Sequence, residues 1–337
     1  MANTITYIKR LFYLLSSIYC LTSLSACSKV IDIEIPNEPT QVVVEGNIDI
    51  NSPPVVLLTK TSAFFGNVNT NIGAYFVRGA QVKVYASDGT STELYEYCLQ
   101  SLNLPQDQVD VILGAFGFSN VDSTEIPDVC VYTVPDIANF FLTGNCSFMG
   151  KERTTYTLDI VAPPFAGEGT DSIHVTSSTY IPSVIPMDSL VVRPHSNPAY
   201  QDSMAAVYAY ITVPDTFGNF VRYMTRRNSE PFYKPSNGSV WDDKLFVGLS
   251  LGLPIERGLS PKEDYNFNTA GYFWKGDTVT VKWSNIDSRT FDFFYTLEND
   301  GGDSPFSAPV KIKSNINNGF GIWAGYASRY YTVIVPE

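Results

Sequence analysis

Short runs of β-branched and aromatic residues, separated by turn residues, recur along most of the chain. In the run 80–85, Ala80, Val82 and Val84 alternate with other residues, which is typical of a strand with one buried face. Comparable runs occupy residues 41–48, 54–59, 154–161, 172–179, 188–192, 205–213, 220–224, 278–283, 320–326 and 329–335. Aromatic residues make up 14% of the chain, and 23 Gly and 21 Pro supply turns, which favours strands over helices. The sequence therefore predicts an all-β fold, an immunoglobulin-like β-sandwich followed by a second β-rich domain.

The N-terminal segment has the pattern of a secretory leader. Lys9 and Arg10 precede an apolar run, and small residues lead to Cys27. Polar residues at 16, 17, 22 and 23 interrupt the run, whereas a membrane-spanning helix needs about 20 mostly apolar residues. The tetrapeptide Leu24-Ser25-Ala26-Cys27 resembles a bacterial lipobox, whose cysteine receives a diacylglyceryl group. We therefore predict a signal peptide over residues 1–26 and lipidation of Cys27; the alternative is a secreted protein in which this cysteine is coincidental.

Residues 27–40 are predicted to form a polar tether behind the lipid anchor. They carry Asp32, Glu34 and Glu38, and the isoleucines between these acids indicate an edge strand over part of the segment. Acidic residues soon after a lipidated cysteine resemble the surface-export signals of Bacteroidota lipoproteins. The resemblance implies an outer-membrane location facing the cell exterior.

The strand pattern divides the body and is interrupted once. Pro182 and Pro186 favour an extended linker, so we predict a β-sandwich domain over residues 41–180 and a C-terminal β-rich domain over 181–337. Between about residues 93 and 145 the pattern breaks, and helical spacing at 94–99, 105–113 and 134–141 predicts a partly helical insertion. In the second domain, aromatic residues spaced along 288–298 predict one short helix.

The chain has five cysteines, and three of them remain in the body. Cys20 leaves with the leader and Cys27 is lipidated, so Cys98, Cys130 and Cys146 supply one disulfide and one thiol in an oxidising compartment. We predict Cys98 and Cys130 as the pair, with Cys146 as an alternative partner, because the spacing alone does not decide. A metal cluster is not expected, since the cysteines are far apart in sequence and the only histidines, His174 and His195, lie elsewhere.

The charge of the chain excludes one class of partner. The net charge is −12, so a nucleic-acid backbone is repelled. The acids are spread along the chain without a long run, and their simplest role is solubility.

The sequence offers no constellation that points to catalysis. No acid pair stands in a defined motif, and both histidines lie in segments that favour a structural or surface role. Residues 299–304 are rich in Asn and Asp but lack the spacing of a calcium loop, so we interpret them as a turn. Trp323 and Tyr326 are the candidate ligand-binding aromatics, and packing in the core is the favoured alternative. We therefore predict no catalytic residues and no cofactor.

Several short motifs, in their order along the chain, resemble a Bacteroidota lipoprotein family known as domain of unknown function 4249. They are the lipobox, Val42-Val43-Val44-Glu45-Gly46, Gly79-Ala80-Gln81-Val82, Tyr156-Thr157-Leu158 and the segment 181–190, followed by Gly276-Asp277-Thr278-Val279, Pro305-Phe306-Ser307-Ala308-Pro309, Ser314-Asn315-Ile316 and the segment 319–326. The resemblance implies an outer-membrane lipoprotein with a β-sandwich body, often encoded beside a TonB-dependent receptor. It implies no reaction.

Composition, leader and resemblance together predict a binding or accessory module for a TonB-dependent receptor in nutrient uptake. The ligand, a small molecule or a peptide, is not identified by the sequence. The alternatives are a surface hydrolase of peptide or glycan and a structural or adhesion component. Acids converging in a deep pocket favour the hydrolase, whereas exposed aromatic residues without such a cluster favour the binding module.

Overall fold

A computed structural model of the chain describes Tyr13 and residues 39–62, 72–102, 129–167, 169–260, 263–299 and 311–337. The chain divides into two compact units, Met1–Glu38 and Pro39–Glu337, and the elements below all belong to the second. Apart from Tyr13, the predicted signal peptide lies outside the described residues, as do Cys27 and the tether up to residue 38.

The described part of the second unit is built mainly of strands. These are β1 (Val42–Asp49), β2 (Val55–Lys60), β3 (Gln81–Ala86), β4 (Ser91–Cys98), β5 (Cys130–Thr133), β6 (Thr154–Ala162), β7 (Ile173–Ile181), β8 (Ser189–Pro194), β9 (Met204–Thr212), β10 (Phe220–Arg227), β11 (Val240–Asp242), β12 (Ser250–Ile255), β13 (Phe273–Trp274), β14 (Thr278–Ile286), β15 (Ile316–Asn317) and β16 (Phe320–Ile334). The α-helices are α1 (Ile137–Thr143) and α2 (Ser288–Glu298), and Ile72–Tyr75, Leu99–Leu102 and Pro198–Tyr200 form single 3₁₀ turns. The predicted all-β class is confirmed, and so is the helix at 288–298. Among the described residues, no helix has the length and apolar character needed to cross a membrane.

Most strands pair in one long path. Its order is β11-β10-β14-β16-β1-β2-β5-β4-β3-β6-β7-β15, and a smaller sheet has β9 at its centre, flanked by β8 on one edge and by β12 and β13 on the other. The long path curls back on itself, so that β16 lies against β6 and β7. The Trp323 ring nitrogen on β16 donates to the Tyr156 carbonyl on β6 over 3.0 Å. The Gly325 amide on β16 likewise donates to the Thr179 hydroxyl on β7 over 2.8 Å.

Two main cores result from this arrangement. The first core lies inside the curl and contains the alternating residues of β3 and β6, among them Val82, Val84, Leu158 and Ile160. The second core lies between the β9 sheet and the strands β10 and β14, and Trp283 is its largest buried side chain. The immunoglobulin-like arrangement of the first half stays a prediction.

The predicted boundary at about residue 181 falls at the end of β7, before the segment that leads to β8. Strands β1 to β7 line the first core and strands β9 to β14 the second, but β15 and β16 return to the first core. The division into domains 41–180 and 181–337 therefore stays a prediction.

Strand β16 is shared by the two halves. Residues Phe320 to Tyr326 pair in parallel with β1, and Tyr326 to Ile334 pair antiparallel with β14. The parallel pairing of β1 with β16 brings the two backbones close together at Gly321. A Cβ on Gly321 would overlap the carbonyl oxygen of Val44, and the φ of Gly321, +101°, is one that side chains strongly disfavour.

The insertion seen in the structure is shorter than the predicted interval 93–145. Leu94–Leu99 was predicted to be helical, but residues up to Cys98 belong to strand β4, which pairs with β5. The reason is that residues four apart share a face in a strand as well as in a helix, so Leu94 and Cys98 satisfy both patterns. The helical prediction at 134–141 is met in part by α1, and the one at 105–113 lies outside the described residues.

A disulfide closes the base of this insertion. Cys98 and Cys130 face each other across β4 and β5 and are joined, with a sequence separation of 32, and Cys146 is a free thiol. The bond ties together the two strand ends from which the remaining insertion leaves the sheet.

We expect Gly321→Ala to lower the free energy of unfolding by more than about 3 kcal/mol, because the new methyl group meets backbone and the φ is unfavourable. Gly89→Ala is the matched control: its φ is +88°, yet no atom lies within 4 Å of the added Cβ, so the loss is about 1 kcal/mol. Urea titrations of both variants measure the difference. Equal losses would show that close approach of β1 and β16 is not what Gly321 provides.

Replacing both disulfide cysteines, Cys98→Ser with Cys130→Ser, is expected to cost about 3–4 kcal/mol of stability, the chain-entropy value for a loop of this length. Cys146→Ser serves as control, since its hydroxyl can still donate to the Phe148 carbonyl that now receives the thiol. The measurement is the urea midpoint with and without a dithiol reductant. A reductant-insensitive midpoint for the wild-type chain would contradict this role of the bond.

Candidate functional site

An open groove of about 410 Å³ lies where β7 meets the β14–α2 junction and the loop before β10. This volume falls within the range of small-molecule sites. The lining residues are polar with a few apolar surfaces: Thr155, Ser178, Thr179, Tyr180, Pro182, Gly218, Phe220, Ile286, Asp287, Ser288 and Arg289. They come from both halves of the sequence, which the fold brings together at this point.

Asp287 joins the two walls of the groove. One carboxylate oxygen accepts the Thr290 amide over 2.8 Å and so caps helix α2. The other oxygen accepts the Tyr180 amide over 2.9 Å and the Thr179 hydroxyl over 3.2 Å. The carboxylate therefore holds α2 against β7 and has three donors around it.

The loop before β10 forms another wall and is fixed by a buried acid. Asp243 accepts the backbone amides of Gly218 and Asn219, each over 3.1 Å, and the Asn219 side-chain amide over 2.6 Å. Phe217, beside Gly218, is 77% exposed. The loop thus exposes an aromatic residue that adjoins the lining residue Gly218 in sequence but does not itself line the groove.

Several polar groups that line the groove have no hydrogen-bond or ion-pair partner among the described residues. In the described ranges, no group hydrogen-bonds to the hydroxyls of Thr155, Ser178 and Ser288, and Arg289 has no ion-pair partner. Tyr180 is 39% exposed, and Phe220 is half-buried. The groove therefore offers hydroxyls, a guanidinium and ring surfaces to a ligand.

The same geometry gives little support to acid–base chemistry. Asp287 is the only carboxylate among the lining residues, and its oxygens already accept three hydrogen bonds. A general acid–base mechanism needs a group within reach of the substrate proton and free to exchange it. The arrangement suits binding.

The candidate aromatics predicted from sequence do not line the groove but lie in the interior. Trp323 is fully buried in the first core, and Tyr326 is 8% exposed. The Tyr326 hydroxyl accepts from the Arg222 guanidinium over 3.2 Å, and the Lys282 ammonium lies 5.5 Å from the centre of the Tyr326 ring. Both aromatics are therefore packing residues.

Lys282, beside Tyr326, is held by an acid from β1. Its ammonium lies 3.1 Å from the Asp49 carboxylate. Burial alone lowers the pKa of Lys282, but Asp49 and the neighbouring tyrosines outweigh burial and raise the pKa above its ordinary value. The lysine thus remains charged and links β14 to β1.

The cysteines provide no binding site in the part of the chain that the structure describes. The one cluster of potential metal ligands there is Glu96 with Cys98 and Cys130, and the two sulfurs are bonded to each other. Cys146 is half-buried, and burial raises the pKa of its thiol. Residues 300–304 of the proposed turn lie outside the described ranges.

The two histidines also lie elsewhere. His195 is buried and stacks on Tyr272, with ring centres 3.6 Å apart. His174 is exposed on β7, 3.9 Å from Asp159. Neither lines the groove.

Comparison with known proteins identifies a family. A family model described as Domain of unknown function (DUF4249) matches residues 28–332. No curated protein and no solved structure matches the chain.

We expect Asp287→Ala to lower the free energy of unfolding by about 2–3 kcal/mol, because helix α2 loses its cap and two donors on β7 lose their acceptor. Asp202→Ala, which removes an exposed acid in the turn before β9, should change stability by less than about 0.5 kcal/mol. Urea unfolding of the two variants is the measurement. If they lose equal stability, Asp287 does not hold the walls of the groove together.

Proposed function

The chain belongs to the family of the domain of unknown function DUF4249, and from this premise we propose that it is a lipid-anchored binding module of the outer membrane. On this proposal the body faces the cell exterior, captures a ligand in the groove and acts as an accessory to a TonB-dependent receptor in nutrient uptake.

The open groove is the observation that carries the binding role. The hydroxyls of Thr155, Ser178 and Ser288 and the Arg289 guanidinium have no protein partner among the described residues. The walls of the groove are fixed by Asp287 and Asp243. A fixed site loses less conformational entropy on binding. The groove therefore needs little rearrangement of its walls to bind a ligand.

The anchor and the receptor rest on the sequence. The leader that ends at Cys27 supports lipidation, and the resemblance to Bacteroidota lipoproteins supports the receptor as partner. Attachment to the same membrane raises the effective concentration of the module around the receptor, so a weak direct contact suffices.

A hydrolase is the weaker candidate because the groove lacks a free acid. Asp287 is held by three donors, and a glycosidase needs two carboxylates that flank one bond. The groove supports capture of a ligand.

A pull-down tests the proposal. The affinity-tagged, lipidated protein is recovered from detergent-solubilised outer membrane, and we expect one TonB-dependent barrel to co-purify in near-equal amount. Cys27→Ala, which cannot be lipidated, is the matched control and should recover much less of that barrel. Absence of a barrel from the wild-type sample would exclude the accessory role.

Surface exposure is tested separately on intact cells. External protease should degrade the wild-type body without lysis, while a periplasmic marker protein stays intact. Protection of the body until lysis would place it on the inner side of the outer membrane and contradict the proposal.

A further inference from the structure

The groove lies against a strand whose backbone is already occupied at this point. The Tyr180 amide on β7 donates to the Asp287 carboxylate over 2.9 Å. A peptide that binds by adding a strand needs such backbone donors and acceptors to be free. Strand addition at Tyr180 is therefore blocked, and recognition depends on side chains.

The side chains that line the groove are complementary to a sugar in hydrogen bonding and in apolar contact. Each hydroxyl of Thr155, Ser178 and Ser288 can both donate and accept a hydrogen bond, as sugar hydroxyls do. The exposed Tyr180 side chain, which lines the groove, offers a flat apolar face. A pyranose ring presents the same combination, with hydroxyls around its rim and C–H groups on its faces.

The charges of the groove favour an uncharged ligand. Asp287 and Arg289 are its two charged lining residues, and their charges cancel. The chain as a whole carries a net charge of −12, which repels polyanions. The five N–H donors of Arg289 then serve as hydrogen-bond donors to hydroxyl groups.

We infer that the groove binds an uncharged oligosaccharide, with Tyr180 stacking on a sugar face and Arg289 donating to sugar hydroxyls. This inference rests on the proposed function, because it names the ligand class of the same site.

Binding is measured by calorimetry with the full-length protein in detergent. The probes are neutral hexose oligomers, uronic-acid oligomers, sulfated oligomers and a pool of unstructured peptides. We expect saturable binding of at least one neutral oligomer, and Tyr180→Ala and Arg289→Ala should each weaken it about tenfold. Both residues are exposed, so the substitutions leave the cores intact.

Matched controls come from the same chain. Tyr85→Ala removes a ring that is 43% exposed on β3, and Arg329→Ala removes an exposed guanidinium on β16. Neither residue lines the groove, so both variants should bind as the wild type does. An equal loss in the controls would show that the sugar binds elsewhere and would overturn the inference.

Other outcomes also decide the question. Tighter binding of uronic-acid or sulfated oligomers would overturn the preference for uncharged ligands, and binding of peptides without any saccharide would overturn the ligand class. A receptor that co-purifies with a protein that binds no saccharide leaves the accessory role standing and rejects the inference alone. Saccharide binding without a co-purifying receptor supports the inference and rejects the accessory role.

Discussion

The parallel pairing of β1 with β16 is the interaction on which the rest of the structure depends. β16 fills the space between β1 and β14, and its side chains enter both main cores. This pairing is possible because the chain at Gly321 carries no side chain where β1 approaches. The Ser328 amide on β16 donates to Asp49 at the end of β1, which in turn holds Lys282 on β14. One strand thus fixes the relative position of the strands that surround both cores.

The groove is a consequence of the same arrangement. Once β16 has brought β14 next to the first core, the residue that follows β14 meets the outer part of β7. That residue is Asp287, which caps α2 and accepts from Tyr180 and Thr179 at the same time. A single carboxylate therefore serves local helix formation and long-range packing, and the cavity beside it is the space that the two walls leave open.

Most of the strands and helix α2 could be predicted from local sequence patterns, but the groove could not. Strands such as β3 and β6 could be predicted because their apolar residues alternate over several positions, and α2 because its aromatic residues repeat at helical spacing. Residues 94–99 were predicted wrongly because two apolar residues four apart fit either periodicity. The groove could not be found in this way, since Thr155, Ser178 and Arg289 are distant in sequence and are ordinary surface residues when taken singly. Asp287 did leave a signal, an acid directly before a helix, but nothing in the sequence connects it with Tyr180.

The position of β16 in the chain has a consequence for the kinetics of folding. The hydrogen bond from Ser328 to Asp49 joins residues 279 apart, so the strand that completes the first core is among the last to be made. Closing so long a loop before its contacts form makes folding slow. Until β16 arrives, β1 has an unpaired edge, which is a hazard for aggregation. A chain built in this way depends on protection of its first strands during synthesis, until the last strands have been made.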